Sequence, residues 1–201
     1  MSVRFLCRAA LFAAMCGSLA AAPIQWTTAS GGNGHWYDYV PAPSIFSPVG
    51  FDASRSAALA STHMGMTGYL ATITSAGEQQ FVQDSFGFLT GFGGTATAFL
   101  GATDTAAEGE FRWLDGPESG QLVSYTNWLP GYPNTTSGDI LHLFISYASF
   151  GSPQYGWLNS GTQALGYVVE YSGTGDEGVP EPGTVVLVVA GLAGILWKRR
   201  G

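Results

Sequence analysis

Between residues 33 and 171 apolar and polar positions alternate in short bursts, and the bursts divide into two helices followed by a run of strands. Asn33 to Val40 interleaves aromatic and polar residues and predicts a first strand, closed by a Pro-rich loop that runs to Pro48. Asp52 is placed to cap a helix in which Ala53, Ala57, Ala58 and Ala60 allow close packing against a sheet, with Gly65 and Gly68 ending the segment. Tyr69 to Ile73 predicts a short buried strand. A second helix starts at Ser75, where Glu78 stands in position to complete a capping box; Phe81, Val82 and Phe86 face the core and Gly87 stops it.

The strands follow. Phe99 to Ala102 is an apolar run that passes through Thr103-Asp104 into an acidic turn, and Phe111 to Leu114 alternates before Asp115-Gly116 stops it, so two strands meet around that turn. From Pro117 to Gly138 no period is sustained, and so long a connection inside a compact domain is usually functional or disordered. Tyr125, Trp128 and Tyr132 argue for order, since disordered segments are poor in aromatics. Ile140 to Ile145, Gly156 to Asn159 and Gly166 to Tyr171 complete an α+β sequence of elements.

Several spaced motifs in this stretch resemble the C-type lectin-like domain: Phe99-Leu100-Gly101-Ala102-Thr103-Asp104, Glu108-Gly109-x-Phe111-x-Trp113, Asn127-Trp128-x-Pro130-Gly131-x-Pro133-Asn134, Gly156-Trp157 and Tyr167-x-x-Glu170-Tyr171. The resemblance implies two helices and a mixed, mainly antiparallel sheet with a long irregular loop. It also implies that the first and last strands pair, Trp36 to Val40 beside Tyr167 to Tyr171, and that Pro133 is the family's cis-proline.

The ends carry addressing signals. Residues 1–22 join Arg4 and Arg8 to an Ala/Leu-rich stretch and small residues, which is the pattern of a secretory signal peptide; the apolar part is too short for a transmembrane helix, and Ala20 is the preferred cut. After the domain (23–172) and a polar linker (173–179), residues 180–201 place Pro180-Glu181-Pro182 before an apolar run closed by Lys198-Arg199-Arg200. The run from Val185 to Trp197 would rise on the order of 20 Å as a helix, short of roughly 30 Å of hydrocarbon unless the basic end snorkels. This arrangement resembles the PEP-CTERM sorting signal. It implies an inner-membrane-anchored precursor, processing by an exosortase-type peptidase after signal peptidase has acted, and a mature form at the cell surface or outside the cell. A permanent C-terminal anchor is the alternative.

Removing both ends changes the composition. Cys7 and Cys16 both lie in the signal peptide, so the mature chain of about 155 residues is disulfide-free and depends on its core. Lectin-like domains usually carry two disulfides, and this is a departure. Five of the seven basic residues also leave, so Arg55 and Arg112 face fourteen acids, a balance of minus twelve, or minus eleven if the cut precedes Glu181. Nucleic acid is excluded as a partner on that charge.

In calcium-dependent members of the family a Glu-Pro-Asn or Gln-Pro-Asp triplet and a Trp-Asn-Asp triplet supply oxygens to an ion that holds two sugar hydroxyls. Here the corresponding residues are Tyr132-Pro133-Asn134 and Trp157-Leu158-Asn159, with Asp139 able to stand in for an acid. Two oxygen ligands are missing, so no cofactor is expected; Asn134, Asp139 and Asn159 are the residues left to hold calcium if it binds. The candidate ligand-binding set is Trp128, Tyr132, Asn134, Asp139, Trp157 and Asn159, with Tyr132 a stacking platform for a sugar and Tyr125, Tyr147 and Tyr155 nearby. Trp113, Trp128 and Trp157 also suit a purely structural place in the core. Asp104, Glu108, Glu110 and Asp115 read as a solvated hairpin tip, with a cation site or glycosidase carboxylates as the alternative. His142 should alternate outward on its strand, His63 should end the first helix, and the histidines show no metal-ligand spacing. No catalytic constellation is present in the sequence. The expected function is an exported binding module for an extracellular polysaccharide or a surface protein, the alternative being a structural matrix protein without a discrete ligand.

Overall fold

A computed structural model describes residues 22–86, 95–134, 138–146 and 154–173. The signal peptide, both cysteines, Gly87, Tyr147, the linker beyond residue 173 and the sorting segment with Pro180, Glu181 and Pro182 lie outside the described residues. The elements are β1 (Ile24–Gln25), β2 (Trp36–Pro41), β3 (Val49–Gly50), α1 (Phe51–Ala60), β4 (Thr62–His63), β5 (Met66–Leu70), α2 (Ala76–Phe86), β6 (Thr95–Thr103), β7 (Arg112–Trp113), β8 (Ile140–Ser146), β9 (Gln154–Ser160), β10 (Gln163–Ala164) and β11 (Gly166–Tyr171).

The main sheet runs β1-β2-β11-β6-β8-β9, and its centre is β11, buried along its whole length. β11 pairs antiparallel with β2, Tyr167 opposite Val40 and Tyr171 opposite Trp36, so the pairing implied for Trp36 to Val40 and Tyr167 to Tyr171 is present, with the short β1 added outside β2. Its other edge is shared: the end of β11 pairs antiparallel with β5, while Tyr167 pairs parallel with Phe99 of β6. β6 and β7 form the expected hairpin around the acidic turn.

Period-two alternation sends neighbouring residues to opposite faces of the sheet. Leu100, Leu141, Trp157 and Val168 join Val82 and Phe86 of α2 on one face; Phe99, Ile140, Tyr167 and Val169 join Phe51 and Ala58 of α1 on the other. Each face is therefore covered by a helix. This explains a departure from the sequence reading: His142, expected to point outward, is fully buried, its ring 4.7 Å from that of Phe99. Nε2 lies 3.1 Å from the Gly161 carbonyl, and Nδ1 has no partner among the described residues. Burial holds the imidazole neutral and lowers its pKa to about 4.

Smaller expectations also shift. Gly50, with no side-chain cap, precedes α1, and Asp52 sits in the first turn, where its charge suits the helix N-terminus. His63 stands in β4 beyond the end of α1. Ser75 does cap α2 through Glu78 N–H, but the Glu78 carboxylate turns to Thr74 N at 2.7 Å and Thr74 Oγ1 at 2.9 Å. Asp104 is buried and accepts from Gly109 N at 2.9 Å; Asp115 takes a two-pronged bond from Arg55 at 2.6 and 2.8 Å. Only Glu108 and Glu110 remain as the solvated tip.

Two outcomes test this packing. A Cβ at Gly101 would run into the Leu70 carbonyl oxygen where β6 passes the end of β5, and backbone there has little room to yield. Gly101→Ala should lower the unfolding free energy in urea by about 1–3 kcal/mol; an unchanged midpoint would show that the two strands can separate. For His142, the unfolded imidazole titrates near 6.5 and the folded one near 4, so its contribution is complete above pH 6.5 and is lost as pH falls toward 4. Between pH 7 and pH 4 the parent should lose about 3 kcal/mol more stability than His142→Gln. Parallel profiles would contradict this burial.

Candidate functional site

The stretch after Gly116 is more ordered than its sequence suggests. Residues 120–123 turn back onto the β7 region: Gly120 N donates to Trp113 O at 2.8 Å and Val123 N to Phe111 O at 2.8 Å. The chain is next held at Trp157, whose backbone N–H donates to Asn127 O at 2.7 Å and whose carbonyl accepts from Leu129 N at 2.8 Å. Trp157 itself is completely buried. The rings of Tyr125 and Trp128 meet it edge-on, at centroid distances of 5.5 and 5.8 Å. Trp157 is thus a pillar beneath the long loop and presents no face to a ligand.

Beyond it, Leu129 O accepts from Tyr132 N at 3.0 Å, the Tyr132–Pro133 peptide is cis, and Tyr132 stands 38% exposed at the loop tip. The sequence-derived set then divides. Asn134 and Asn159 come together, but as partners of each other: Asn159 Oδ1 accepts from Asn134 N at 2.6 Å, and Asn159 Nδ2 donates to Asn134 O at 2.7 Å and to Gly138 O at 2.5 Å. Both ends of the Asn159 amide are engaged with loop backbone, and its residue is 2% exposed. Asp139 is exposed, and its carbonyl accepts from Asp104 N at 3.2 Å. Among the described residues no group of three or more His, Cys, Asp or Glu side chains is placed to hold a metal. The residues at this place fit a calcium ion poorly, because the side-chain oxygen of Asn159 is already directed at an N–H.

A depression opens on the other flank of the loop. A groove of about 580 Å³ runs between α2 and the stretch from Tyr125 to Pro130, lined by Gln79, Gln80, Gln83, Tyr125, Asn127 and Trp128 among others. Of these, sequence reasoning placed only the aromatics at a site. Gln79, Gln80 and Gln83 were missed, although Glu78-Gln79-Gln80 with Gln83 is a signal: residues four apart share one face of a helix.

A second polar assembly lies inside the protein. Tyr37 donates to Glu78, His35 Nδ1 lies 2.5 Å from Glu170 Oε1, and Glu170 Oε2 accepts from Thr72 N at 2.9 Å and Thr72 Oγ1 at 3.1 Å. Burial, and then the charge of Glu170, raise the pKa of Glu78; the bond to Glu170 raises that of His35. Both carboxylates are 1% exposed, which makes them supports of the fold and places them out of reach of a substrate.

Comparison with known proteins gives two kinds of likeness. Residues 178–200 match the family described as the PEP-CTERM protein-sorting motif. Over 150 residues, 70% of this chain, the sequence is 33% identical to Halomucin of Haloquadratum walsbyi, but covers 1% of that protein. Salivary C-type lectin 2 of Aedes albopictus is 30% identical over 89 residues, 44% of this chain and 57% of that protein. The chain thus spans a minute part of the first relative and little more than half of the second. Among solved structures, human lithostathine superposes with a TM-score of 0.52 at 17% identity, over 69% of this chain and 84% of that one, a likeness of fold.

The Asn159 latch has a direct test. Asn159→Asp keeps the shape but removes both donors and sets a carboxylate against the carbonyls of Asn134 and Gly138. The unfolding free energy should fall by about 2 kcal/mol. A denaturation midpoint equal to that of the parent would mean that the latch contributes nothing.

Proposed function

We propose that this chain, which carries the C-type lectin-like fold and ends in the PEP-CTERM protein-sorting motif, is an exported binding module of the cell surface or extracellular matrix that recognises carbohydrate through its long loop, without the calcium site usual for the fold. The motif supports export and surface or extracellular delivery, with signal peptidase and an exosortase-type peptidase as the processing partners and a membrane-held precursor between them. The salivary relative is named as a C-type lectin, which favours carbohydrate over a surface protein as the ligand. We read the mechanism as recognition, not turnover: the two buried carboxylates have no access to a bond, and the acidic hairpin residues are divided between a turn, an ion pair and solvent.

The observation that carries the reading is the Asn159 amide. Where a calcium-dependent site needs an oxygen aimed at the ion, this side chain ties the backbone of Asn134 and Gly138 together. Protein–protein bonds stand where ion coordination would, and the loop keeps its shape by them. It offers a ligand an exposed tip at Tyr132 and a flank from Tyr125 to Pro130.

Titration calorimetry with calcium, followed by a glycan array run once with calcium and once with EDTA, tests the proposal. The expected result is no saturable calcium heat and selective retention of one glycan class that EDTA leaves unchanged. Retention that requires calcium would overturn it and assign Asn134, Asp139 and Asn159 to an ion. Uniform weak retention of every glycan would favour a matrix protein with no discrete ligand.

A further inference from the structure

We propose that the groove between α2 and the Tyr125–Pro130 flank of the long loop is a binding site for an uncharged polysaccharide chain. The inference rests on the reading of the chain as a carbohydrate-binding module and gives that module a site and a ligand class.

The first argument is chemical. The described residues lining the groove are amides, aromatics and small or apolar residues, with no charged side chain among them, in a chain whose formal net charge is −7. A charged ligand would lose hydration there and gain no counter-charge. Hydroxyls are different: each both donates and accepts, and a side-chain amide offers both functions in one plane. The apolar C–H face of a sugar ring finds its complement on Trp128 and Tyr125, both half-buried and both braced edge-on by Trp157.

The second argument is pre-organisation. Trp157 Nε1 donates to Gln79 Oε1 at 2.6 Å, and Gln79 Nε2 donates to Gln83 Oε1 at 2.6 Å. An indole N–H can only donate, so it fixes which end of the Gln79 amide faces it; Gln79 then fixes Gln83 in the same way. The relay ends at Gln83 Nε2, whose hydrogens have no partner among the described residues and can serve a ligand. Beside it, Gln80 Nε2 donates to Asp84 Oδ1 at 2.8 Å, and Gln80 Oε1, without a donor among the described residues, can accept. A donor and an acceptor are thus held three residues apart, on one face of α2, across the groove from the aromatic wall. Trp157 supports both walls, the loop through its backbone and rings and the helix through its indole N–H. Binding then costs little ordering of side chains. The volume of about 580 Å³ is within the range of roughly 300–1,000 Å³ typical of ligand sites.

The site is separate from the loop tip, since neither Tyr132 nor Asn134 lines the groove. Affinity electrophoresis of the whole chain in EDTA tests it, through soluble dextran, mannan, galactan and β-glucan, with alginate as the anionic counterpart. At least one neutral polymer should retard the protein, independently of salt, and alginate should not. Gln83→Glu keeps the acceptor for Gln79 while removing the donor and adding a charge; it should weaken retention by about tenfold. Tyr125→Ala should weaken it as well, and Tyr132→Ala should leave it unchanged. Loss with Tyr132→Ala but not with Gln83→Glu would move the sugar to the tip, overturning the groove and sparing the carbohydrate reading. Failure of the folded parent to bind any polymer, or binding only to a protein partner, would overturn both.

Discussion

Two buried carboxylates tie together a domain whose described residues offer no disulfide. Glu170 lies on the central strand and Glu78 on α2, each 1% exposed, and between them they receive Tyr37, His35, Thr72 and Thr74. The described residues contain no cysteine. β2, β11, the segment after β5 and α2 are thereby joined at one polar centre. Breaking such a centre by removing one member leaves a buried group unpaired, which is more costly than the same contact is stabilising. That asymmetry makes it a constraint on sequence: the carboxylates and their donors must be kept or replaced together.

The same helix faces two ways in this arrangement. Glu78 ties α2 inward, and Gln79, next in sequence, receives the indole of Trp157 and passes its own amide hydrogen to Gln83. Trp157 also carries the backbone of Asn127 and Leu129. Position in the groove is therefore set by the core, and a site built on such supports needs no metal to hold its shape. Beyond the groove, the Asn159 amide gives the loop a second fixed point.

How much of this was legible depends on whether the signal was local. The order of elements and the hairpin between β6 and β7 followed from short periodic runs, because each is written in contiguous residues, whereas the pairing of β2 with β11 joins residues about 130 apart and was legible only through the resemblance. The cis peptide before Pro133 was legible through the resemblance. His142 was not: a strand with one polar position looks half-exposed, and only the presence of α1 on the second face reverses that. Trp157 read as core more readily than as contact but without its partners, and Glu170 as a motif letter, since those partners stand 78 and 98 residues away in sequence. Asn159 resembled a metal ligand by its place in the triplet. Its role became apparent only with the backbone of Asn134 and Gly138 beside it.

The central claim is that recognition occurs on a protein-built, metal-free surface. The most direct measurement is a nuclear magnetic resonance titration of the side-chain amide and indole N–H signals with a neutral oligosaccharide, in EDTA and then in calcium. The account predicts saturable shifts at Gln80, Gln83, Asn127 and Trp128 in EDTA, unaltered by calcium. Shifts that arise only with calcium, and centre on Asn134 and Asn159, would contradict it.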